Sequence, residues 1–450
     1  CGSRICNSRL LVPGNSSFRS GSRLLHISDI GCIGICRSAT GHIRNRRIIR
    51  IDAVIGYIGL SAYGQPVVVD DRIARCDAVH FHIFGQFDIQ RICPVGYHAD
   101  ISVCQLRRIC HAANDIRLEE KPKPQIIDPT DAVVRIVKTT ICGTDLGIWK
   151  GKNPEVADGR ILGHEGVGIV EEVGDAVKNI KKGDKVIISC VSKCCSCDNC
   201  KKQLYSHCRN GGWILGYMID GTQAEYVRTP FADNSLIPLP ENVDDEIALL
   251  LSDVLPTGHE IGVQYGDVKP GDTVFIAGAG PVGMGVLVTA QFYSPSVIIV
   301  CDMDENRLKM AKALGATHTI NPSDGDVAAK VKAIVGEDGV DCAIEAVGVP
   351  ATWAMCQDIV KAGGHIAVVG VHGKPVDFNL ERLWIKNLAI TTGLVNSNTT
   401  EMLLKAISTS PVDFTAMLTH RFKLSELEEA YDVFKHAAEN GAMKVVLVNE

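Results

Sequence analysis

The stretch Thr273–Asp302, TVFIAGAGPVGMGVLVTAQFYSPSVIIVCD, determines the fold of the chain around it. It begins with a short apolar run, Thr273–Ala277, passes through a glycine-rich turn and continues as an apolar helical segment, Met284–Phe292. A second apolar run, Val297–Val300, then leads to an acid. Strand, turn, helix and strand in this order form a βαβ unit, and such a unit belongs in a parallel sheet.

The turn Gly278–Gly283 has the spacing of a dinucleotide-binding loop, G-x-G-x-x-G. The motif alone is weak, but here a strand precedes it, a helix follows it, and Asp302 lies 24 residues after Gly278. The glycines let a pyrophosphate approach the backbone, and the acid accepts hydrogen bonds from ribose hydroxyls and repels a 2′-phosphate, which favours NAD over NADP. The alternative is that the glycines serve only packing and that Asp302 is a surface acid. The predicted cofactor-binding residues here are Gly278, Gly280, Pro281, Val282, Gly283 and Asp302.

The sequence after this unit continues the alternation of strands and helices. Asp304 is placed to cap a helix that Gly315 ends. Beyond it the pattern predicts the strands Val340–Ala346, His365–Val371 and Leu388–Thr392 and the helix Ala351–Val360. Near-continuous apolar strands that alternate with helices form a parallel sheet covered on both faces. We therefore predict an α/β fold with a doubly wound Rossmann domain over residues 255–395.

The segments on either side of this domain have a different character. Before it, short Val- and Ile-rich runs are separated by Gly-Asp turns, which is typical of a strand-rich domain. The predicted strands are Ala132–Val137, Gly166–Val173 and Asp184–Cys190. After the Rossmann domain come an amphipathic segment, Glu426–Phe434, and a closing strand, Lys444–Val448. We expect residues 111–254 and 396–450 to form one catalytic domain.

Residues 1–110 differ from the rest of the chain in composition. They contain 14 Arg and 7 Asp but no Lys and no Glu, and they show no sustained helical or strand period. We interpret them as disordered or foreign to the fold, for example as non-coding sequence carried into a gene model. An organellar presequence over residues 1–50 and a divergent extra domain are the alternatives.

The whole chain has 450 residues, of which 46% are apolar and 22% charged, and a net charge of −6. These proportions are ordinary for a globular protein, and the acidic balance argues against a general nucleic-acid binder. No apolar run approaches the roughly 20 residues of a membrane helix. We therefore expect neither a nucleic acid nor a membrane as partner. We expect a cytoplasmic location, or a mitochondrial one if residues 1–50 are a genuine presequence.

Four cysteines stand close together in the spacing C-x₂-C-x₂-C-x₇-C, namely Cys194, Cys197, Cys200 and Cys208. Four thiolates close a tetrahedral shell around zinc and leave no open position, so the predicted site is structural. An iron–sulfur cluster fits the long last spacing less well. The acidic body of the chain disfavours the other rival, a nucleic-acid zinc ribbon. Unrelated buried cysteines do not explain so tight a spacing, and Cys195 is a spectator.

A second metal-binding pattern lies upstream, in Cys142–Glu165, CGTDLGIWKGKNPEVADGRILGHE. It offers a thiol at Cys142, an imidazole at His164 and a carboxylate at Glu165, with the Thr144 hydroxyl two residues after the thiol. Cys, His and Asp or Glu are zinc ligands, and three protein ligands with one open position form a catalytic site. Taken singly, each residue is more often structural, as a buried thiol or a satisfied core histidine.

Three motifs in this order, Gly163–Gly168 (GHEGVG), the four-cysteine cluster and Gly278–Gly283, resemble the zinc-dependent alcohol dehydrogenases of the medium-chain dehydrogenase/reductase superfamily. The resemblance covers about residues 115–450, and the family's first strand is not recognisable before Asp115. It implies a GroES-like catalytic domain with a zinc lobe over residues 194–208, NAD, and two zinc ions per subunit, one catalytic and one structural. It also implies reversible hydride transfer between NAD and a primary or secondary alcohol, giving an aldehyde or ketone, in a homo-oligomer (tetramer or dimer).

The resemblance assigns roles to single residues as well. Cys142, His164 and Asp253 are implied as ligands of the catalytic zinc, joined by Glu165 or an exchanging water. Classical plant and animal enzymes have Cys at the Asp253 position; with Asp a carboxylate replaces a thiolate, which leaves zinc a stronger Lewis acid. A helix cap is the alternative for Asp253. The other implied roles are the proton relay for Thr144, orientation of His164 for Asp145, the substrate pocket for Trp213, and cofactor binding for Thr257, Arg307, Val347 and Lys444. A solvated surface lysine is the alternative for Lys444.

One departure from the family concerns the exit of the proton. Many relatives have a histidine five residues after the zinc cysteine, where this chain has Gly147. Either the ribose hydroxyl delivers the proton to water directly, or another group substitutes. His259 is a candidate only through its closeness to Thr257 in the sequence, and a packing role is favoured.

The substrate stays open at this level. Polyol, threonine and formaldehyde dehydrogenases of the same family share the metal chemistry and differ in pocket shape, which single residues do not fix. A different class is a zinc-stabilised NAD-binding protein without turnover. Two zinc ions per chain would support the enzyme, and one would support the non-catalytic protein.

Overall fold

The structure, a computed structural model, describes residues 104–112 and 114–450. The predictions for residues 1–103 lie outside the described residues. The described part of the chain forms a small three-stranded sheet, a seven-stranded sheet and a six-stranded sheet. None of its helices combines the length and the apolar character needed to cross a membrane.

Within the described residues, eight strands precede the parallel sheet. In chain order they are β1 (Cys104–Ala112), β2 (Asp115–Pro122), β3 (Ala132–Thr140), β4 (Arg160–Ile161), β5 (Gly166–Val173), β6 (Lys185–Ile188), β7 (Tyr226–Thr229) and β8 (Leu236–Pro238). β1 pairs antiparallel with β2 and with β4. The expected domain boundary at residue 110 therefore falls inside a strand. The sequence does not reveal β1, because its residues lack an alternating pattern and its stability comes from the two neighbouring strands.

Short helices connect these strands and lead into the parallel sheet. They are α1 (Gly143–Trp149), α2 (Asp198–Lys201), α3 (Ala232–Ser235), α4 (Asp245–Leu250) and α5 (Val254–Thr257). A π-helix, Gly258–Gln264, continues directly from α5. Asp244 caps α4 by accepting hydrogen bonds from the backbone N–H groups of Glu246 and Ile247.

The six-stranded sheet is wholly parallel and has the order β11–β10–β9–β12–β13–β14. Its strands are β9 (Thr273–Ala277), β10 (Val297–Cys301), β11 (His318–Ile320), β12 (Val340–Glu345), β13 (Val360–Val368) and β14 (Ala389–Thr392). Its helices are α6 (Pro281–Ala290), α7 (Glu305–Ala313), α8 (Val327–Val335), α9 (Pro350–Ile359) and α10 (Leu380–Leu383). The predicted doubly wound fold is confirmed. Asp304 caps α7 as expected, and α6 starts earlier than predicted because Pro281 occupies its first turn.

The end of the chain completes the seven-stranded sheet. It contains α11 (Thr400–Ile407), β15 (Leu418–Lys423), α12 (Leu427–Lys435), α13 (Ala437–Asn440) and β16 (Lys444–Val448). The sheet has the order β15–β16–β3–β5–β6–β8, with β7 also paired to β3. β3 extends to Thr140, beyond the predicted Ala132–Val137, because Lys138–Thr140 pairs with β16. That partner lies 300 residues away in sequence, so local pattern does not indicate it.

A continuous core joins the two large sheets. It contains Val167 and Ile187 from the seven-stranded sheet, Ile276 from the parallel sheet, and the fully buried run Leu249–Leu251 at the end of α4. Two glycine contacts let α5 and the π-helix lie directly on α6. A Cβ on Gly285 would stand 2.6 Å from the Val254 carbonyl oxygen, and one on Gly258 would stand 2.5 Å from the Gly285 backbone. Asp253, the residue just before α5, is thereby fixed relative to the glycine-rich turn at the start of α6.

Candidate active site

Four predicted metal ligands come together between the two large sheets. Cys142 precedes α1, His164 and Glu165 precede β5, and Asp253 precedes α5. One ligand atom from each residue lies within 4.8 Å of the ligand atoms of the other three. His164 and Glu165 are buried, whereas Cys142 and Asp253 are half-buried. Three separate segments of the chain therefore form one small polar centre inside an otherwise apolar junction.

The geometry of this centre suits a tetrahedral cation. His164 Nε2 and Asp253 Oδ2 are 3.4 Å apart, and zinc with bonds of about 2.1 Å requires ligand separations of roughly 3.4 Å. The Glu165 Oε2 atom is buried and has no hydrogen-bond partner. A buried carboxylate oxygen without a partner is costly unless a cation or a proton satisfies it. The donor set of sulfur, nitrogen and carboxylate oxygen is one that zinc accepts.

Charge also accumulates at this centre. Burial acts to raise the pKa of Asp253, but hydrogen bonds and the charge of His164 lower it to about 2. Burial acts to lower the pKa of His164, yet its hydrogen bonds to Asp253 and Cys142 raise it well above its usual range. The pocket between these side chains thus stabilises a positive charge. A metal ion would compete for the same place with the imidazole proton, because metal ligands must be deprotonated.

Asp145 supports the centre from the helix side. Its carboxylate is buried and accepts hydrogen bonds from the backbone N–H of Cys142 at 2.8 Å and of Gly163 at 3.3 Å. Its Oδ1 atom lies 3.8 Å from His164 Nδ1, which is longer than a hydrogen bond. The predicted orientation of His164 is therefore indirect in this structure, because Asp145 fixes the backbone beside two of the four clustered residues.

Lys444 requires a correction. We expected it near the pyrophosphate of a cofactor, with a solvated surface lysine as the alternative. Instead its side chain is 1% exposed and its ammonium lies 2.6 Å from Glu165 Oε1, whose side chain is also 1% exposed. Lys444 stands in the first position of β16, and the pairing of β16 with β3 carries it into the interior. Its ammonium is therefore occupied by Glu165 and is not presented to a dinucleotide.

The four-cysteine cluster is also assembled. The Sγ atoms of Cys194, Cys197, Cys200 and Cys208 all lie within 4.8 Å of one another. Cys194 and Cys200 are 3.9 Å apart at sulfur, close to the roughly 3.8 Å that zinc–sulfur bonds of about 2.3 Å require. Burial raises the pKa of the Cys194 thiol, but hydrogen bonds led by Ser196 lower it to about 5. The exposed Cys195 lies outside the cluster, as predicted.

The glycine-rich turn has the open shape that a dinucleotide phosphate needs. Gly278 has a φ of +103°, and a Cβ there would stand 2.5 Å from Val347 Cγ2. At Gly283 a Cβ would stand 2.0 Å from the Gly278 carbonyl oxygen. At Gly280, in contrast, a Cβ would meet nothing closer than an Arg307 nitrogen at 3.9 Å. Two glycines therefore permit the turn itself, and the third leaves the space beside it free.

Other predicted cofactor residues surround this turn. Asp302 accepts hydrogen bonds from the backbone N–H of Ala279 at 2.7 Å and of Asp304 at 2.9 Å, so its carboxylate is held at the turn. Pro281 and Val282 form the first turn of α6. The Thr257 hydroxyl donates a hydrogen bond of 2.7 Å to Asp253 Oδ1, which places Thr257 beside the four clustered residues.

An aromatic pair lies on the other side of the cluster. Trp213 presents its ring edge-on to His164, with centroids 6.2 Å apart, and stacks on Tyr217 at 4.5 Å. The Tyr217 hydroxyl donates to Glu155, and this hydrogen bond raises the pKa of Tyr217 to about 12. The family resemblance points to Trp213 but not to Tyr217, which follows it in an irregular loop that has no sequence period. Thr144 lies half-buried in the first turn of α1.

His259 has a packing environment. It is buried, and its Nε2 atom lies 3.0 Å from the Tyr293 hydroxyl. Burial lowers the pKa of His259 to about 4, so the ring is neutral at physiological pH. A neutral imidazole held in this way is poorly suited to carry a proton to solvent.

Comparisons with known proteins match both large parts of the chain. Residues 128–241 match the family model of the alcohol dehydrogenase GroES-like domain, and residues 281–409 match that of the zinc-binding dehydrogenase. An alcohol dehydrogenase from Cupriavidus necator is 34% identical over 359 residues, covering 74% of this chain and 95% of the relative. An L-threonine 3-dehydrogenase from Shewanella baltica is 29% identical over 328 residues, covering 71% and 93%. A solved structure of zinc dependent alcohol dehydrogenase 2 from Streptococcus pneumonia is similar with a TM-score of 0.73 and 51% identity, covering 77% of this chain and 99% of that one.

Replacing Lys444 with methionine tests the buried ion pair. Without the ammonium, Glu165 is a buried carboxylate lacking its counter-charge, and we expect the free energy of unfolding to fall by about 3–5 kcal/mol. Urea unfolding followed by circular dichroism measures the change. Adding Glu165→Gln to Lys444→Met should restore most of the loss. Lys423→Met removes an exposed pair with Glu450 and serves as the control, and equal effects at both lysines would contradict the assignment.

Proposed function

Because the chain belongs to the zinc-dependent alcohol dehydrogenases of the medium-chain dehydrogenase/reductase superfamily, we propose that it oxidises an alcohol to an aldehyde or ketone with NAD, reversibly. The observation that carries the proposal is the convergence of Cys142, His164, Glu165 and Asp253. α5, which follows Asp253, lies in glycine contact with α6, and α6 begins at the dinucleotide turn. The contact between α5 and α6 therefore fixes the glycine-rich turn relative to Asp253 in the cluster.

In this proposal Cys142, His164 and Asp253 hold zinc, and Glu165 is a fourth group that can approach or leave it. When bound, zinc would supply the Lewis acidity that lowers the pKa of the alcohol, and NAD would accept the hydride. The Thr144 hydroxyl would accept the proton of the alcohol while it passes its own proton on, through the nicotinamide ribose hydroxyl, to water. A second zinc in the four-cysteine lobe is structural, because four thiolates leave no position for a substrate.

Other side chains in the proposal bind the cofactor or shape the substrate pocket. Trp213 and the stacked Tyr217 form the wall of the substrate pocket beside His164. Thr257 contacts the nicotinamide, Val347 lines the glycine turn, and Arg307 lies at its open side. Asp302 binds the adenosine ribose, and its negative charge disfavours the 2′-phosphate of NADP. We therefore propose NAD as the cofactor.

A substrate panel with NAD and with NADP tests the proposal. We expect turnover of short primary or secondary alcohols with NAD, a lower kcat/KM with NADP, and two zinc ions per chain by atomic absorption. The panel includes threonine, because the similarity to an L-threonine 3-dehydrogenase supports it as an alternative, and polyols, which the family resemblance leaves open. No turnover of any alcohol or aldehyde, together with a single zinc, would instead establish a non-catalytic NAD-binding zinc protein.

Gly147→His tests the proton exit. Gly147 lies in α1, and a Cβ there would meet nothing closer than Asn153 Oδ1 at 3.9 Å, so an imidazole has room. With a pKa of about 6.5 it would pass the proton onward. We expect the pH–rate profile of alcohol oxidation to gain activity below neutral pH. Gly147→Ala controls for the loss of glycine, and an unchanged profile for both variants would show that no relay step is missing.

We also propose that the enzyme is a homo-oligomer. β14 is an edge strand of the parallel sheet, and unpaired edge strands are common sites of association. Trp384 and Ile385, in the turn before β14, are each 67% exposed. A second copy covering this edge would bury them.

Sedimentation velocity of the parent and of Trp384→Lys tests the oligomer. We expect the parent to sediment as a dimer or tetramer, and the charged variant to shift toward a smaller species because an ammonium resists burial. Ile127→Lys, at a residue 77% exposed elsewhere on the chain, serves as the control. A monomeric parent contradicts the proposal.

A further inference from the structure

We propose that Cys190 is a positioning residue for Asp253, through which the backbone segment 394–399 sets the orientation of the carboxylate that faces His164. The inference rests on the proposed function, since it assigns a metal to the cluster that contains Asp253. It concerns a residue that no metal-binding motif includes. Cys190 lies two residues beyond β6, outside both the ligand cluster and the four-cysteine lobe.

The two oxygens of Asp253 have separate partners. Oδ2 lies 3.4 Å from His164 Nε2 and faces the cluster. Oδ1 turns away from it and accepts hydrogen bonds from the Thr257 hydroxyl at 2.7 Å and from the Cys190 thiol at 3.5 Å. A carboxylate held in this way presents one oxygen to a metal and cannot rotate without breaking both hydrogen bonds. Thr257 ends the short helix α5 that Asp253 precedes, so Cys190 is the partner that ties Oδ1 to another part of the described chain.

The Cys190 thiol has a second polar contact that fixes it in turn. Its Sγ atom lies 3.5 Å from Asp253 Oδ1 and 3.5 Å from the Ser397 hydroxyl oxygen. The Cys190 thiol donates its hydrogen bond to the Asp253 carboxylate, because an ionised carboxylate can only accept hydrogen bonds. The Ser397 hydroxyl then donates to the sulfur. The side chain is 2% exposed, so no water replaces either partner without a rearrangement.

Ser397 is itself held in an unfavourable conformation. Its φ is +53°, a left-handed backbone that non-glycine residues rarely adopt. Buried Glu260, in the π-helix, stabilises this conformation by accepting hydrogen bonds from the residues on both sides. Its carboxylate receives the backbone N–H of Asn396 at 2.8 Å, of Asn398 at 2.6 Å and of Thr399 at 2.9 Å. Such strain persists only where the surroundings enforce it, and it is common at functional sites.

The same segment is attached to the four-cysteine lobe. The Ser206 hydroxyl donates to the Asn396 side chain at 2.9 Å, and Lys193 Nζ donates to the Ser397 carbonyl at 3.0 Å. The segment 394–399 is thus bound to the lobe and to the π-helix, and it meets the ligand cluster through Cys190. A thiol that only filled space would need neither of its two polar neighbours.

Metal binding by Cys190→Ala and Cys190→Ser tests the inference without any turnover. The catalytic site is emptied with a chelator under conditions that leave one zinc in the lobe, and Co²⁺ is titrated while its d–d absorption is recorded. Loss of a partner that orients a metal ligand typically weakens metal binding 10–100-fold. We expect about tenfold weaker Co²⁺ binding and a changed d–d spectrum for Cys190→Ala. Cys190→Ser keeps a donor and should lie nearer the parent.

Two further variants separate positioning from packing. Ser397→Ala removes the hydroxyl that fixes the thiol and should shift the Co²⁺ spectrum in the direction of Cys190→Ala. Cys356→Ala removes an equally buried thiol from α9 and should leave Co²⁺ binding unchanged. The inference is overturned if Cys190→Ala binds Co²⁺ within about twofold of the parent with the same spectrum, or if the parent binds no Co²⁺ at this cluster.

The Co²⁺ results are independent of the substrate panel. A parent protein that binds Co²⁺ as expected but turns over no alcohol would refute the proposed function while the Cys190 variants still support positioning. Normal turnover combined with insensitive Co²⁺ binding in Cys190→Ala would refute positioning alone.

Discussion

The compensation of buried negative charge is the constraint on which this architecture depends. Cys142, Glu165 and Asp253 supply three acidic groups to one small centre, and the Lys444 ammonium supplies a single positive charge 2.6 Å from Glu165. Burying uncompensated charge is expensive, so two negative charges remain to be balanced, either by a divalent cation or by two protons, of which His164 can carry one. A divalent ion beside Lys444 would make the centre neutral when all three acids are ionised. This balance is the physical reason that the centre suits a divalent cation.

That requirement links the segments before and after the parallel sheet, which together form the seven-stranded sheet. Lys444 reaches Glu165 only because β16 inserts beside β3 in the seven-stranded sheet. The parallel sheet lies between those segments in sequence, so folding it brings the end of the chain back to the site. Asp253 comes from the connection into the parallel sheet, and α5 fixes it against α6. The charge centre and the domain connectivity therefore depend on each other.

The parts of the molecule that sequence predicts are those in which the signal is local. Each of the following occupies a short stretch of sequence: the glycine turn, the strands around it, the four-cysteine spacing and the pair His164–Glu165. In the structure each stretch has the local arrangement that its pattern predicts. What sequence does not indicate depends on distant partners. The sequence around Lys444 suggests a surface or phosphate-binding lysine, and only the position of β16 in the sheet shows that it is buried. Cys190 looks like the end of an apolar strand, and only the fold brings Ser397 and Asp253 next to it. Strand β1 is hidden for the same reason, because pairing alone defines it.

The π-helix shows how one short element serves several parts of the site. Gly258 and Gly262 are four residues apart and both face α6, where a Cβ on Gly262 would stand 2.5 Å from Val286 Cγ2. Glu260, halfway between them, points to the opposite side and accepts the backbone N–H groups of the segment 394–399. A π-helix closes i→i+5 hydrogen bonds and has somewhat more than four residues per turn, so two residues turn the chain by about half a turn and these faces point in opposite directions. The π-helix therefore packs between α6 on one side and the segment 394–399, which contacts Cys190, on the other. Since the π-helix continues directly from α5, which Asp253 precedes, the same short stretch of chain contacts α6, the segment 394–399 and the cluster that contains Asp253.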